Sequence, residues 1–99
     1  MNAAEQLPLS GLRVVALEQA VAAPFCSRQL ADMGADVIKI EKPNGGDSAR
    51  AFDSAIRGQS AYFVWLNRSK ESLTLDVKHP KAGEILGKLI ERADVFIQN

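Results

Sequence analysis

Arg13-Val14-Val15-Ala16-Leu17 and Asp36-Val37-Ile38-Lys39-Ile40-Glu41 bracket the stretch that decides the fold. The first is an unbroken apolar run rich in β-branched residues, the signature of a strand covered on both faces, as strands of parallel sheets are. The second restores that character after an interval that reads as a helix. There Ala22, Cys26, Gln29, Leu30 and Met33 share one helical face, Pro24 sits in the first turn where a missing N–H costs nothing, and Gly34 marks the end. Residues 13–41 are therefore one strand–helix–strand unit, a crossover that is right-handed almost without exception.

Working outward, Ser60 to Leu66 is an aromatic run read as a short helix, and Ser72 to Val77 alternates polar and apolar residues as a strand does. Pro80 opens a helix with Ile85, Leu86, Leu89 and Ile90 on one face, and Asp94 to Gln98 starts a fourth strand. This order predicts an α/β fold with a Rossmann-like parallel sheet and flanking helices. Residues 1–10 read as a lead-in and 11–99 as the sheet domain. Nothing follows the fourth strand to cover the sheet beyond it, so the domain is expected to be incomplete: part of a longer protein, or completed by a partner.

Ninety-nine residues suit one small domain. Twelve basic and twelve acidic side chains cancel, so no overall field would draw the chain to nucleic acid or an anionic membrane, and any anion site must be built locally. No apolar run approaches the ~20 residues of a membrane-spanning helix. The single cysteine, Cys26, cannot close an internal disulfide, and the first residues lack the profile of a secretory signal; a cytoplasmic location is expected. One histidine, His79, gives no metal-binding pair, and its place before Pro80 reads as a helix entry.

Ligands of open parallel sheets bind beyond the carboxyl ends of the strands. The residues to inspect are thus Glu18 to Ala23, Glu41 to Gly46, Asp76 to His79, and Asn99. The small side chains after the first strand either let a phosphate approach the main chain or simply let helix and sheet pack closely. Glu41 reads as a ribose-binding acid or a solvated strand end; without a Gly-x-Gly-x-x-Gly the first reading is the weaker. Lys42 reads as a phosphate-binding cation or a surface charge. Arg68, Lys70 and Lys78 read as a wet surface, Cys26 as a buried structural thiol, and Tyr62, Phe63 and Trp65 as core. Residues 43–58 are long for a connection, and Gly45-Gly46-Asp47 with Arg50 suits a mobile loop or a plain turn.

Several segments together resemble one family in order and spacing: Leu9 to Val15, Ala23-Pro24-Phe25, Leu30 to Glu41, Gly46-Asp47, Tyr62-Phe63, Asn67 to Lys70, Leu73 to Lys78 and Ala93-Asp94-Val95. That family is the family III CoA-transferases, which include formyl-CoA transferase and alpha-methylacyl-CoA racemase. The resemblance covers Leu9 to Asn99 and matches roughly the first quarter of such an enzyme. It implies the amino-terminal part of a larger enzyme whose two subunits interlock as a homodimer. No tightly bound cofactor is implied; coenzyme A enters as acyl-CoA substrate, with a carboxylic acid as acceptor. By position, Val21 and Ala22 would meet the coenzyme through their main chain. Lys42 would stand near the nucleotide, where formyl-CoA transferase has arginine, so it would act as a point charge. Leu75, Asp76, Val77 and Lys78 would line the adenine and phosphate region, and Asn99 would approach the pantetheine arm. The family's nucleophilic aspartate lies downstream of the matched region, so no residue here, Asp76 and Asp94 included, is given that role. A racemase on the same scaffold and a non-catalytic nucleotide-binding module are the alternatives.

Overall fold

The apolar run at Arg13–Leu17 forms β1, at the middle of a four-stranded sheet ordered β3-β2-β1-β4. The computed structural model describes residues 7–99, so residues 1–6 of the expected lead-in lie outside the described residues. After β1 come α1 (Ala22–Asp32), β2 (Asp36–Glu41), a one-turn 3-10 helix (Ser48–Ala51), α2 (Ala61–Asn67), β3 (Glu71–Thr74), α3 (Ala82–Glu91) and β4 (Val95–Gln98). Every pairing is parallel: Val14 sits opposite Val37 and Val95, and Ile40 opposite Leu73. The α/β, Rossmann-like expectation holds. The third strand is shorter than its alternation predicts, because after Thr74 the Asp76 carboxylate accepts the Lys78 N–H at 3.0 Å and turns the chain.

Alternation divides the sheet into two faces. Val14, Ala16 and Val37 pack with Ala31 and Ala35 in one cluster, with Leu30, Val95 and Ile97 at its margin. On the other face a gap of about 230 Å³, lined among others by Val15, Ile38, Leu89 and Arg92, lies between sheet and α3. Accordingly α3 buries only Ala82, while Ile85 and Ile90 stay exposed.

Helix α1 turns a different side to the sheet from the one its apolar residues predict. Ala23, Ser27 and Ala31, spaced by four, face inward with Pro24 and Arg28. Small residues let the helix axis approach the sheet closely, so Cys26, expected to be buried, is exposed with Phe25 and Met33. Arg28 is buried because its guanidinium lies 5.1 Å from the ring centroids of both Phe25 and Trp65, a cation–π arrangement joining α1 to α2. Tyr62 and Trp65, expected in the core, are half exposed; Leu66 is the one buried residue of α2, while Tyr62 stacks edge-on against Phe52. Gly34 ends α1 at φ +106°, and a Cβ there would lie 2.7 Å from Leu7 Cβ, so close packing and left-handed backbone both require glycine. No helix among the described residues is long and apolar enough to cross a membrane.

Candidate functional site at the strand ends

A parallel sheet delivers the carboxyl ends of all its strands to one edge, and here the segments that leave them converge. A cleft of about 190 Å³ is lined by Leu17, Glu18 and Gln19 after β1, by Ile40, Glu41, Lys42, Gly46 and Asp47 around the end of β2, by Val77 beyond β3, and by Asn99 after β4. A polar depression of about 310 Å³ adjoins it, sharing Lys42, Glu41 and Gly46 and adding Arg50, Ser72 and Thr74. Lys42 is exposed and borders both.

Beneath the cleft is a buried set of charges. Lys39 lies mid-strand, 1% exposed, with Nζ 3.0 Å from Glu18 Oε2 and 2.7 Å from Asp47 Oδ2. Lys70 Nζ is 2.7 Å from the same Glu18 oxygen and also donates to Pro24 O and Asn67 Oδ1. Ser27 Oγ donates to Glu18 Oε1 at 2.5 Å. Glu41 receives Arg50 through two hydrogen bonds of 2.8 and 2.7 Å, the Asp47 main-chain N–H at 2.9 Å, and the Ser72 hydroxyl. Three cations thus face three carboxylates, the condition under which buried charge is tolerated.

The titration behaviour follows. Arg50 above all draws the Glu41 carboxyl down to about 2 from 4.5, with Ser72 and the Asp47 N–H adding to it against the opposing push of burial. Burial presses the Asp47 carboxyl upward, but the Lys39 ammonium and the N–H groups of Ala20 and Ala49 outweigh it, and the net shift is down. Burial lowers Lys70 below its ordinary value despite the pull of Glu18.

Of the residues singled out from sequence, the cleft brings together Lys42, Val77 and Asn99. Val21 caps α1 without a side-chain hydrogen bond, and Ala22 opens it; both are exposed outside that lining. Leu75 and Asp76 border another depression with His79 and Ile85, and Lys78 is exposed in the turn beyond. His79 takes its helix-entry role, with Nδ1 accepting the Lys81 N–H at 3.1 Å. Asp94 is remote from the cleft: its carboxylate accepts the Arg13 N–H at the amino ends of the strands.

Two expectations are corrected. Glu41 is neither a solvated strand end nor a free ribose acceptor, since its side chain is spent on Arg50, Ser72 and Asp47. Lys70 is a buried partner of Glu18, whereas Arg68 is the exposed one, paired with Asp32 at 2.8 Å. Sequence reading also missed Asp47 and Lys39 as parts of the site. A signal was present: a lysine in the middle of an apolar strand must find carboxylates when the sheet is covered.

The loop after β2 is held by the same charges. Gly46 has φ +68°, and a Cβ there would stand 2.6 Å from Glu41 Oε1, an oxygen already fixed by Arg50 and Asp47. Gly46→Ala is expected to cost about 1–2 kcal/mol from the left-handed backbone alone, read as a lower denaturation midpoint; an unchanged midpoint would contradict that strain, and a drop well beyond this range would show that the Glu41 clasp does not yield.

Comparison with known proteins matches residues 9–99 to the sequence profile of CoA-transferase family III. The succinate–glutarate CoA-transferase of Agrobacterium fabrum is 43% identical over 99 residues, covering 93% of this chain and 25% of its own. The formyl-CoA:oxalate CoA-transferase of Bradyrhizobium diazoefficiens is 42% identical over 92 residues, covering 92% of this chain and 22% of its own. Among solved structures, a CAIB/BAIF family protein from Brucella suis superposes with a TM-score of 0.84 at 40% identity, over 94% of this chain and 26% of that one. The chain spans about a quarter of the length of these relatives.

Proposed function

Since this chain belongs to CoA-transferase family III, we propose that it forms the coenzyme A-holding amino-terminal part of an acyl-CoA:carboxylate CoA-transferase. The observation that carries the reading is the meeting of four strand-end segments in one cleft with the exposed Lys42 at its lip. In a chain without net charge, a cation at that edge is the local attraction an adenosine phosphate needs. Lys42 binds phosphate, the main chain at Val21 and Ala22 meets the carrier, the segment Leu75 to Lys78 borders the adenine and phosphate region, and Asn99 lies toward the pantetheine arm. The Asn99 side chain accepts from Gln19 N at 3.1 Å and donates to Gln19 O at 3.2 Å, which fixes it against the segment after β1.

The chemistry belongs to an aspartate outside these residues. Its carboxylate oxygen attacks the thioester carbonyl and expels the CoA thiolate, leaving a mixed anhydride. The thiolate then attacks the enzyme's carbonyl carbon, releasing the first acid and leaving an aspartyl-CoA thioester. The acceptor acid opens that thioester and takes the coenzyme by the same two steps. The relatives named above are, by name, a succinate–glutarate and a formyl-CoA:oxalate CoA-transferase, which favours small dicarboxylic acids as acceptors and transfer over racemisation. In the complete enzyme a homodimer carries the activity.

In that enzyme, Lys42→Ala is expected to raise KM for the acyl-CoA about tenfold with kcat changed less than threefold, the scale of one lost charge-assisted contact. Incubation with acyl-CoA alone should add the mass of CoA less water to the protein. An unchanged KM with a slower turnover would contradict this placement of the ligand.

A further inference from the structure

Ala20, between β1 and α1, has φ +64°. A non-glycine residue in that region is strained and persists only where its surroundings over-determine it. Here they do. Asp47 Oδ1 accepts the Ala20 N–H at 2.8 Å, while Asn99 brackets the preceding residue through Gln19 N and O.

Asp47 is itself fixed from three directions. Its Oδ2 lies 2.7 Å from Lys39 Nζ, its Oδ1 also accepts the Ala49 N–H at 2.9 Å, and its own N–H donates to Glu41 Oε1. It is 3% exposed. The position of the Ala20 amide is thereby referenced to β2, through Lys39 and Glu41, although Asp47 comes 27 residues later in the chain.

We propose that Asp47 is a positioning residue for coenzyme A: through its hydrogen bond to Ala20 it holds the β1–α1 turn left-handed and so sets the direction of the main chain at Val21 and Ala22. This rests on the reading of the cleft as the coenzyme site. The amides of Gln19 and Ala20 are committed to Asn99 and Asp47, so the turn addresses the ligand from Val21 onward. Without the Asp47 acceptor, Ala20 relaxes to negative φ and the Val21 peptide swings away. Asp47 acts through Ala20, and its carboxylate makes no contact with the reacting atoms.

Steady-state kinetics of the complete enzyme test this. Asp47→Ala is expected to raise KM for the acyl-CoA about tenfold with kcat changed less than threefold. The discriminating variant is Ala20→Gly, which adopts positive φ at little cost; placed in the Asp47→Ala protein it should reduce the KM penalty to about threefold or less. Ala20→Val leaves the buried charges in place and, resisting positive φ, should raise KM about tenfold, so it carries the test if Asp47→Ala gives no soluble enzyme. The proposal is overturned if Ala20→Gly gives no relief, or if the Asp47 and Ala20→Val variants lower the melting midpoint while KM stays put. Lys42→Ala separates the two failures: if it raises KM while the others do not, the positioning role fails alone, and if none of them moves KM the coenzyme site itself is elsewhere.

Discussion

Replacing Lys39 with methionine should lower the stability of the protein by about 3–5 kcal/mol at neutral pH, the scale for breaking a buried ion pair from one side. The aliphatic stem is conserved in volume, so the loss isolates the charge. Glu18 keeps Lys70 at 2.7 Å, but Asp47 loses the one ammonium within ion-pair distance among the described residues. Burial already pushes the Asp47 carboxyl upward, and without Lys39 only the N–H groups of Ala20 and Ala49 oppose it. Asp47 then binds a proton more readily in the folded variant than in the folded parent, so the variant's deficit should shrink as pH falls. Denaturant titrations of both proteins at pH 7 and pH 5 check this; a deficit below about 1 kcal/mol, or one that widens on acidification, would mean that the cluster is not held by Lys39.

Acid should also reach Glu41. Its folded-state pKa, about 2 against 4.5, is depressed, chiefly by Arg50. A depressed carboxyl contributes stability that is complete above the unfolded value and is lost as pH falls through the folded one, so the window runs from about 4.5 down to about 2. Glu41→Gln removes a charged acceptor of four donors and should cost about 1.5–3 kcal/mol at pH 7. Between pH 4.5 and 2 the parent should converge on the variant. Parallel pH profiles would show that the Arg50 clasp contributes nothing that depends on the charge.

These two lysine and glutamate positions show what could be seen in the sequence and what could not. The β1–α1–β2 unit was legible because Val14 to Leu17 is an apolar run and Val37, Ile38 and Ile40 are β-branched, and a parallel sheet demands such segments. The strand-end rule led to Lys42, Val77 and Asn99 because topology alone puts them at one edge. The inward side of α1 was not legible: hydrophobicity favoured Cys26 and Met33, whereas close approach to the sheet favoured Ala23, Ser27 and Ala31. Exposure of Tyr62 and Trp65 escaped for a related reason, since aromatic composition says nothing about how few neighbours a two-turn helix finds. The charge cluster escaped because Glu18, Lys39, Asp47 and Lys70 are distributed along the chain and only the folded sheet assembles them.

The position of β1 also has a consequence for biogenesis. It leaves the ribosome before the other three strands, yet its ladder to β4 pairs Val14 with Val95, near the far end of the described residues. Until Val95 to Gln98 emerge, the growing polypeptide carries Val14 to Leu17 as an unpaired β edge, which is an invitation to mispair with a neighbouring nascent chain. Pairing of β1 with β4 is thus the last of the three pairings among the described residues that synthesis permits, and a ribosome stalled before Val95 would leave that edge of β1 open.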